Sequence, residues 1–536
     1  MTRSSPVDTL EGMDHCIVAF PRLSPWLHLA FSDGQSPLDH LWKRIALLGD
    51  IPVTVLAPAA TDGELTPPKP PEKGGRVNVL VLENSSGSEA LQRLHAAIPD
   101  TVEQLLWFDG DAPFPSLSLT SYLRELHLRS WCDYTFGDGF PTGYAPQVLR
   151  REILPVLATL AESRDLPWNR TILFDALSVD INAFDLETEA ASEDYSLLRA
   201  SLTVDNRADY LLCRRLVERG AAEPDLPPEG TGEHKPDPFR ERFRDDRDTL
   251  LQTLLKEPAL RRTLPRYYHV QVTNRFTQKP AYRPDEGATP IGDMSHGTME
   301  LVLAAIHRET PEAIVAFGYR GEPGVYPELP RLLRLLSVYP GLTCYLETSG
   351  VGWTEENLRA LQESGQTVGA LIVEVDAYKA ETYATLRGTG REEALRFIER
   401  MRTVLPGRLY VQATRMKENE WELQDFFKHW SSLEGVKPLI QKYNNYAGRL
   451  PDRRVADLQP LRRVPCRHLE RELVILLDGR VVRCHQDIDE ASVRGSLQDQ
   501  SLMKLWEAGS GDYLAHLEER YPALCESCDE YYTINA

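Results

Sequence analysis

Short apolar runs separated by amphipathic stretches dominate the first part of the chain. Cys16 to Phe20, Pro52 to Ala57, Val77 to Leu82 and Gln104 to Phe108 each read as a buried strand. Their alternation with helical segments predicts an α/β domain with a largely parallel sheet, since every crossover must run over a sheet face. Pro67 to Pro71 with Gly74-Gly75 reads as a surface loop, and Ala221 to Asp237, rich in Pro, Glu and Gly, as a linker. The alternation then restarts with apolar runs at Tyr267 to Thr273, Ala313 to Phe317, Leu342 to Glu347, Ala370 to Val375 and Leu409 to Ala413. Helical patterns lie between them at Thr298 to His307, Tyr326 to Ser337, Thr354 to Ser364 and Arg391 to Val404. Such a repeat predicts a full or partial (β/α) barrel with functional groups at the C-terminal strand ends. From about Pro451 a small module follows, with a hairpin turning at Asp478-Gly479 and a helix near Leu502 to Trp506. The expected organisation is a domain over 1–220, a linker over 221–245, a barrel over 246–450 and a cysteine-rich module over 451–536.

A length of 536 residues with 42% hydrophobic content exceeds one core, consistent with several domains. The formal charge of −20 argues against general nucleic-acid binding, and the short basic pairs Arg261-Arg262 and Arg453-Arg454 read as solvated surface. No apolar run is long enough to span a bilayer and no signal-like segment opens the chain, so a cytoplasmic protein without membrane contact is expected. Its partner is expected to be a small ligand or another protein, of unspecified identity.

Eight cysteines are too few for a disulfide framework in a chain of this size. Cys16, Cys132, Cys213 and Cys344 stand singly and read as core thiols, whereas Cys466, Cys484, Cys525 and Cys528 crowd into residues 466–528 near the end of the chain. A C-x2-C turn lets two sulfurs approach one ion or cluster edge while a distant pair closes the shell. Cys466 and Cys484 bracket the hairpin whose turn glycine, Gly479, allows the chain to reverse. Iron-sulfur cluster and structural zinc are both open on these residues alone, and His485 and Asp487 read as surface neighbours. With Gly495-Ser-Leu497, Ser501 to Trp506 and Leu524-Cys-Glu-Ser-Cys528-Asp, the module resembles a SPASM domain. That resemblance implies one auxiliary [4Fe-4S] cluster ligated by Cys466, Cys484, Cys525 and Cys528.

The segment Thr273-Asn-Arg-Phe276-Thr-Gln-Lys-Pro280-Ala-Tyr-Arg283-Pro resembles the cluster loop of radical SAM enzymes, with Phe276, Pro280 and Arg283 where three cysteines belong. Tyr319-Arg320-Gly321-Glu322-Pro323, Thr348-Ser-Gly350, Glu374-Val-Asp376-Ala377 and Glu381-Thr-Tyr383 to Arg387-Gly388 follow in the order of that family's landmarks. None of the three replacements ligates iron, so the resemblance implies a barrel without conventional radical chemistry, and S-adenosylmethionine is not an expected cofactor. The barrel then serves as a scaffold, or as a pocket in which Glu322 and Arg320 hold a zwitterion or carboxylate.

In the first domain, the strand ending at Phe108 runs into Asp109-Gly-Asp111, and hard oxygen ligands suit Mg2+ or Mn2+. With Cys132-Asp-Tyr134, Pro141-Thr-Gly143 and Leu202-Thr-Val-Asp205 to Asp209, the segment resembles cytidylyltransferase-like proteins of the nucleotide-diphospho-sugar transferase fold, placing Asp111 and Asp205 at metal positions. Ala19 to Ala30 lacks the glycines and lysine of that family's phosphate loop, leaving Arg22 as one cation near it. Together the three parts resemble spiro-SPASM proteins. The resemblance implies an iron-sulfur-binding protein whose cluster is structural or electron-transferring. The alternatives are a metal-dependent sugar-nucleotide or phospho-sugar transferase acting through the first domain, and a zinc-stapled scaffold.

Overall fold

The computed structural model describes residues 14–59, 77–83, 86–225, 243–284, 289–460 and 463–533. The loop expected over 67–75 and residues 226–242 of the expected linker lie outside the described residues. Two compact units result, Met1–Arg261 and Arg262–Ala536.

Seven strands build the first unit: β1 (Asp14–Ala19), β2 (Val53–Pro58), β3 (Val77–Leu82), β4 (Gln104–Asp109), β5 (Tyr134–Asp138), β6 (Gln147–Arg150) and β7 (Leu186–Ala190). They form one mixed sheet in the order β3-β2-β1-β4-β6-β5-β7. β1 to β4 are parallel, while β6 runs antiparallel to both β4 and β5. Period-two alternation sorts the side chains of β1 between two cores. Cys16 and Val18 point into one, with Leu106 and Phe108, and Ile17 and Ala19 into the other, with Leu105 and Trp107. Both sheet faces are therefore covered, which is why β1 reads as an unbroken apolar run.

The helix Thr249–Lys256 is capped by Asp248, whose carboxylate accepts from Leu251 N at 2.8 Å. Leu250, Leu251 and Leu254 bury in the first unit's core. Residues 246–261 thus belong to the first unit, not to the barrel as the linker's composition suggested. Composition marks where the chain loses its core-forming residues, not which core the next apolar face joins.

The second unit contains β8 (Tyr267–Val270), β9 (Ile314–Phe317), β10 (Thr343–Thr348), β11 (Val368–Glu374), β12 (Leu409–Arg415) and β13 (Val436–Lys442), all parallel, with helices between them. β14 (Glu472–Ile475), β15 (Arg480–Val482) and β16 (Val493–Ser496) continue the same sheet, in the order β13-β12-β11-β10-β9-β8-β14-β15-β16. β14 lies parallel to β8, pairing Glu472 with Tyr267 and Val474 with His269. The cysteine-rich module is therefore a direct extension of the barrel sheet and not a separate body. Its helix Leu502–Glu507 sends Leu502, Leu505 and Trp506 into the same core.

Arg261 and Arg262 are buried rather than solvated. The Arg262 guanidinium lies 3.6 Å over the Trp506 ring and donates to the carbonyls of Trp506 at 2.7 Å and Leu469 at 3.0 Å. An arginine's apolar faces and five donors suit such a site, which charge counting along the sequence cannot distinguish from surface. Among the described residues no helix is long and apolar enough to cross a membrane.

Candidate functional site

Alternate residues of the parallel strands, such as Tyr267 and His269 on β8, Glu347 on β10, Glu374 on β11 and Gln412 on β12, line a cavity of about 550 Å³. Their neighbours Tyr268, Val270, Leu346, Val373 and Val411 pack outward into the core. A sheet face carrying Tyr, His and Glu in place of aliphatic side chains is built to hold something polar.

The loop after β8 covers this cavity. Phe276, Pro280 and Arg283 all line it, and the Arg283 guanidinium rests on the Phe276 ring. Tyr282 donates its hydroxyl hydrogen to Asp376, which also receives Arg387 Nη1 at 2.5 Å. Arg387 Nη2 reaches Glu374 at 3.1 Å, and its side chain is only 2% exposed. Burial would lower the pKa of Arg387, but Tyr282, Asp376 and Glu374 outweigh it and hold the guanidinium charged.

Glu322 and Arg320 both reach the cavity wall. The Glu322 carboxylate accepts from Thr348 Oγ1 at 2.5 Å, Ser349 Oγ at 2.6 Å, Ser349 N at 2.8 Å and Gly324 N at 3.2 Å. Arg320, at φ +52°, points Nη1 to within 3.7 Å of Glu490 Oε1. Of the expected zwitterion grip, Glu322 is thus taken by protein partners and clamps the loops after β9 and β10 together, whereas Arg320 Nη1 is buried with no hydrogen-bond partner among the described residues. Between the two residues, Gly321 is required, since a Cβ there would lie 1.8 Å from Thr273 O.

The four C-terminal cysteines arrive from three segments. Cys466 precedes the short helix Arg467–Arg471, Cys484 follows β15, and Cys525 and Cys528 close the tail. All four line one small void, together with His468, Leu469, Gln486 and Tyr531. None is in a disulfide. Burial raises all four thiols, Cys528 up to about 12, and nearby sulfurs add to the effect at Cys466, Cys484 and Cys528. Among the described residues, the trios of donor atoms lying within 4.8 Å of one another are made of His and Glu, and none is made of these sulfurs.

Those trios are His269, Glu472 and His485, and His468, His485 and Glu530. Asp487 is buried and receives the backbone N–H groups of Ala491 and Ser492, and His485 is largely buried with its ring against His468, so neither is the surface neighbour expected. The cluster escapes a cysteine-centred reading, yet a signal is present. Cys466-Arg-His468, Cys484-His485 and Cys528-Asp-Glu530 each place a further ligand-type residue one or two positions after a cysteine.

In the first unit the strand order reverses between β1 and β4, which opens a crevice at their carboxyl ends. Asp109, Asp111 and Asp205 meet there, but a guanidinium stands among them. Arg170 bridges Asp111 through two bonds of 2.8 and 2.7 Å, reaches Asp109 at 3.0 Å and lies 3.7 Å from Asp205. Burial would lower the pKa of Arg170, and the three carboxylates together overcome it. Arg22 donates to the carbonyl of Asp205 at 2.6 Å. Asp111 and Asp205 are brought together as expected, around a side-chain cation that the sequence reading did not include.

A family model for SPASM, an iron-sulfur cluster-binding domain, matches residues 466–529. An "Uncharacterized protein" of Treponema pallidum (strain Nichols) is 34% identical over 381 residues, spanning 68% of this chain and 99% of that protein. Among solved structures, Streptococcus suis SuiB bound to precursor peptide SuiA is similar at 14% identity and a TM-score of 0.40, covering 59% of this chain and 80% of that one. A cytidylyltransferase from Leptospira borgpetersenii serovar Hardjo-bovis (strain JB197) is similar at 13% identity and a TM-score of 0.33, covering 47% of this chain and 97% of that one.

Proposed function

This chain belongs to one family with the Treponema pallidum protein, and we propose that it is an iron-sulfur protein in which Cys466, Cys484, Cys525 and Cys528 hold a single [4Fe-4S] cluster. The observation that carries this reading is the convergence of four thiols, two buried and two half-buried, from three segments on one small void. Zinc is the rival occupant. A tetrahedral zinc with bonds of about 2.3 Å draws its thiolates to roughly 3.8 Å of one another. Sulfurs of which no three lie within 4.8 Å of one another are spread wider than that, which suits the larger cluster better.

His468 lines both the sulfur void and the barrel cavity, so the cluster stands one side chain away from whatever the cavity binds. That placement suits electron transfer to a small polar ligand as well as a structural role. The barrel is of the radical SAM type with its own cluster lost: Phe276, Pro280 and Arg283 supply no thiolate, and the stacked Phe276 and Arg283 fill the mouth of the loop. The first unit resembles the nucleotide-diphospho-sugar transferases, supported by its mixed sheet and the aspartates at the end of β4. Arg170 supplies there the positive charge that Mg2+ or Mn2+ would bring, so metal-dependent transfer is not the reading this geometry favours. Four C-terminal thiols gathered outside any disulfide fit a reducing cytoplasm.

Dithionite reduction of the anaerobic protein is expected to give one paramagnetic cluster signal by EPR, and added S-adenosylmethionine is expected to yield no 5′-deoxyadenosine. A reduced protein silent by EPR, or turnover to 5′-deoxyadenosine, would contradict the reading.

A further inference from the structure

Beside the sulfur void, and at the wall of the barrel cavity, lies a second group of ligand-type side chains, of which His269 and His485 line the cavity. His269 is an inward residue of β8, and the buried Glu472 opens β14, whose parallel pairing places it beside Tyr267. His485 follows Cys484 directly, on the chain leaving β15. Glu472 Oε2 lies 3.1 Å from His269 Nε2 and 3.8 Å from His485 Nδ1. The latter distance is beyond hydrogen-bond reach, and His485 Nδ1 is buried with no hydrogen-bond partner among the described residues. The rings of His269 and His485 stand 5.3 Å apart.

We propose that His269, His485 and Glu472 form a binding site for a first-row divalent metal ion, with its remaining positions open to the barrel cavity. Two imidazoles and one carboxylate on one side of an ion, with the other side free, is the donor set that suits Fe(II) and also accepts Co(II), Mn(II) or Zn(II). The site does not depend on the cluster being present, because none of its three ligands is a cysteine. His468 acts as a positioning residue. Its Nδ1 lies 2.8 Å from Glu472 Oε2, and its Nε2 is held by the Glu530 carbonyl at 2.9 Å and Thr533 Oγ1 at 3.0 Å. Such outer partners fix the orientation of a metal-binding carboxylate. A bound ion would sit among polar cavity walls, close to the cysteine void through His468, which places a Lewis-acidic or redox-active centre where the barrel's missing cluster leaves none.

The rival account is a buried ion pair in which the histidines only neutralise Glu472. Titration of the full-length, chelator-treated anaerobic protein with Co2+ separates the two. One Co2+ per chain is expected, with d–d bands of nitrogen and oxygen ligation and no sulfur-to-cobalt charge transfer. Binding is expected to weaken at least about tenfold in His485→Ala and in Glu472→Gln. Glu472 anchors two histidines, so His485→Ala keeps the test readable where Glu472→Gln does not fold. Absence of binding, binding unchanged in a folded His485→Ala protein, or sulfur-to-cobalt charge transfer would overturn the site. A protein lacking iron and sulfide that still binds Co2+ through nitrogen and oxygen supports the site and faults the cluster reading alone.

Discussion

Replacing Cys525 and Cys528 together by serine is expected to remove iron and sulfide from the chain and to loosen its C-terminal tail before any other part unfolds. The local apolar support is small: Cys466, Leu469, Tyr513 and Tyr531 form a satellite core apart from the main one. A core of that size does not order a tail by itself, and metal or cluster binding then becomes part of the folding free energy. The hairpin is held differently, by the pairing of β14 with β8 and by Leu473, Ile475 and Val481 in the main core. The variant should therefore fall from about four irons per chain to less than one. Proteolysis should become rapid across 509–533, while the barrel and the first unit keep their transitions. Metal analysis combined with limited proteolysis checks this; full iron retention in the double variant would show that these sulfurs are not ligands.

Arg170→Ala is the second change expected to have a large effect. It leaves Asp109, Asp111 and Asp205 facing one another, with the Asp111 side chain fully buried. Removing one partner of a buried charge group costs about 3–5 kcal/mol at neutral pH. Burial already pushes the Asp111 carboxyl up to about 6 against the pull of Arg170, and loss of the guanidinium raises it further. A carboxyl whose folded pKa lies above its unfolded value favours folding when protonated and loses that contribution as pH rises through the folded pKa. The defect should therefore be greatest at neutral pH and shrink towards pH 5. Mn2+ or Mg2+ should also recover part of the stability, because the variant recreates a three-carboxylate site for a hard cation. Thermal melts across pH, with and without Mn2+, decide it. A variant as stable as the parent, or one indifferent to divalent ions, would show that Arg170 does not hold the place of a metal.

The strands that could be read from the sequence are those with unbroken apolar runs, most of them buried on both faces, and β3, Val-Asn-Val-Leu-Val-Leu, is read on composition alone at a sheet edge. β1 to β4 and β8 to β12 fall in the expected runs within a few residues. β7, Leu-Glu-Thr-Glu-Ala, and β13, Val-Lys-Pro-Leu-Ile-Gln-Lys, are half polar strands at sheet edges, where one side needs no apolar cover. The cysteine spacing was legible because a turn and a hairpin impose it locally. The His-Glu group was not, since His269 and Glu472 are 203 positions apart and meet only because β14 joins the barrel sheet. Arg170 escaped for a similar reason: it lies 59 residues after Asp111, beyond any local motif. In both cases long-range pairing set the chemistry, and the sequence pattern showed only one side of it.

Iron, zinc and acid-labile sulfide content of the anaerobically purified full-length protein, recorded with its visible spectrum, tests the central claim most directly. The account predicts about four sulfide per chain, about four iron in the cluster and a broad cluster absorption. One zinc per chain with no sulfide would contradict it and make the cysteine tail a zinc staple.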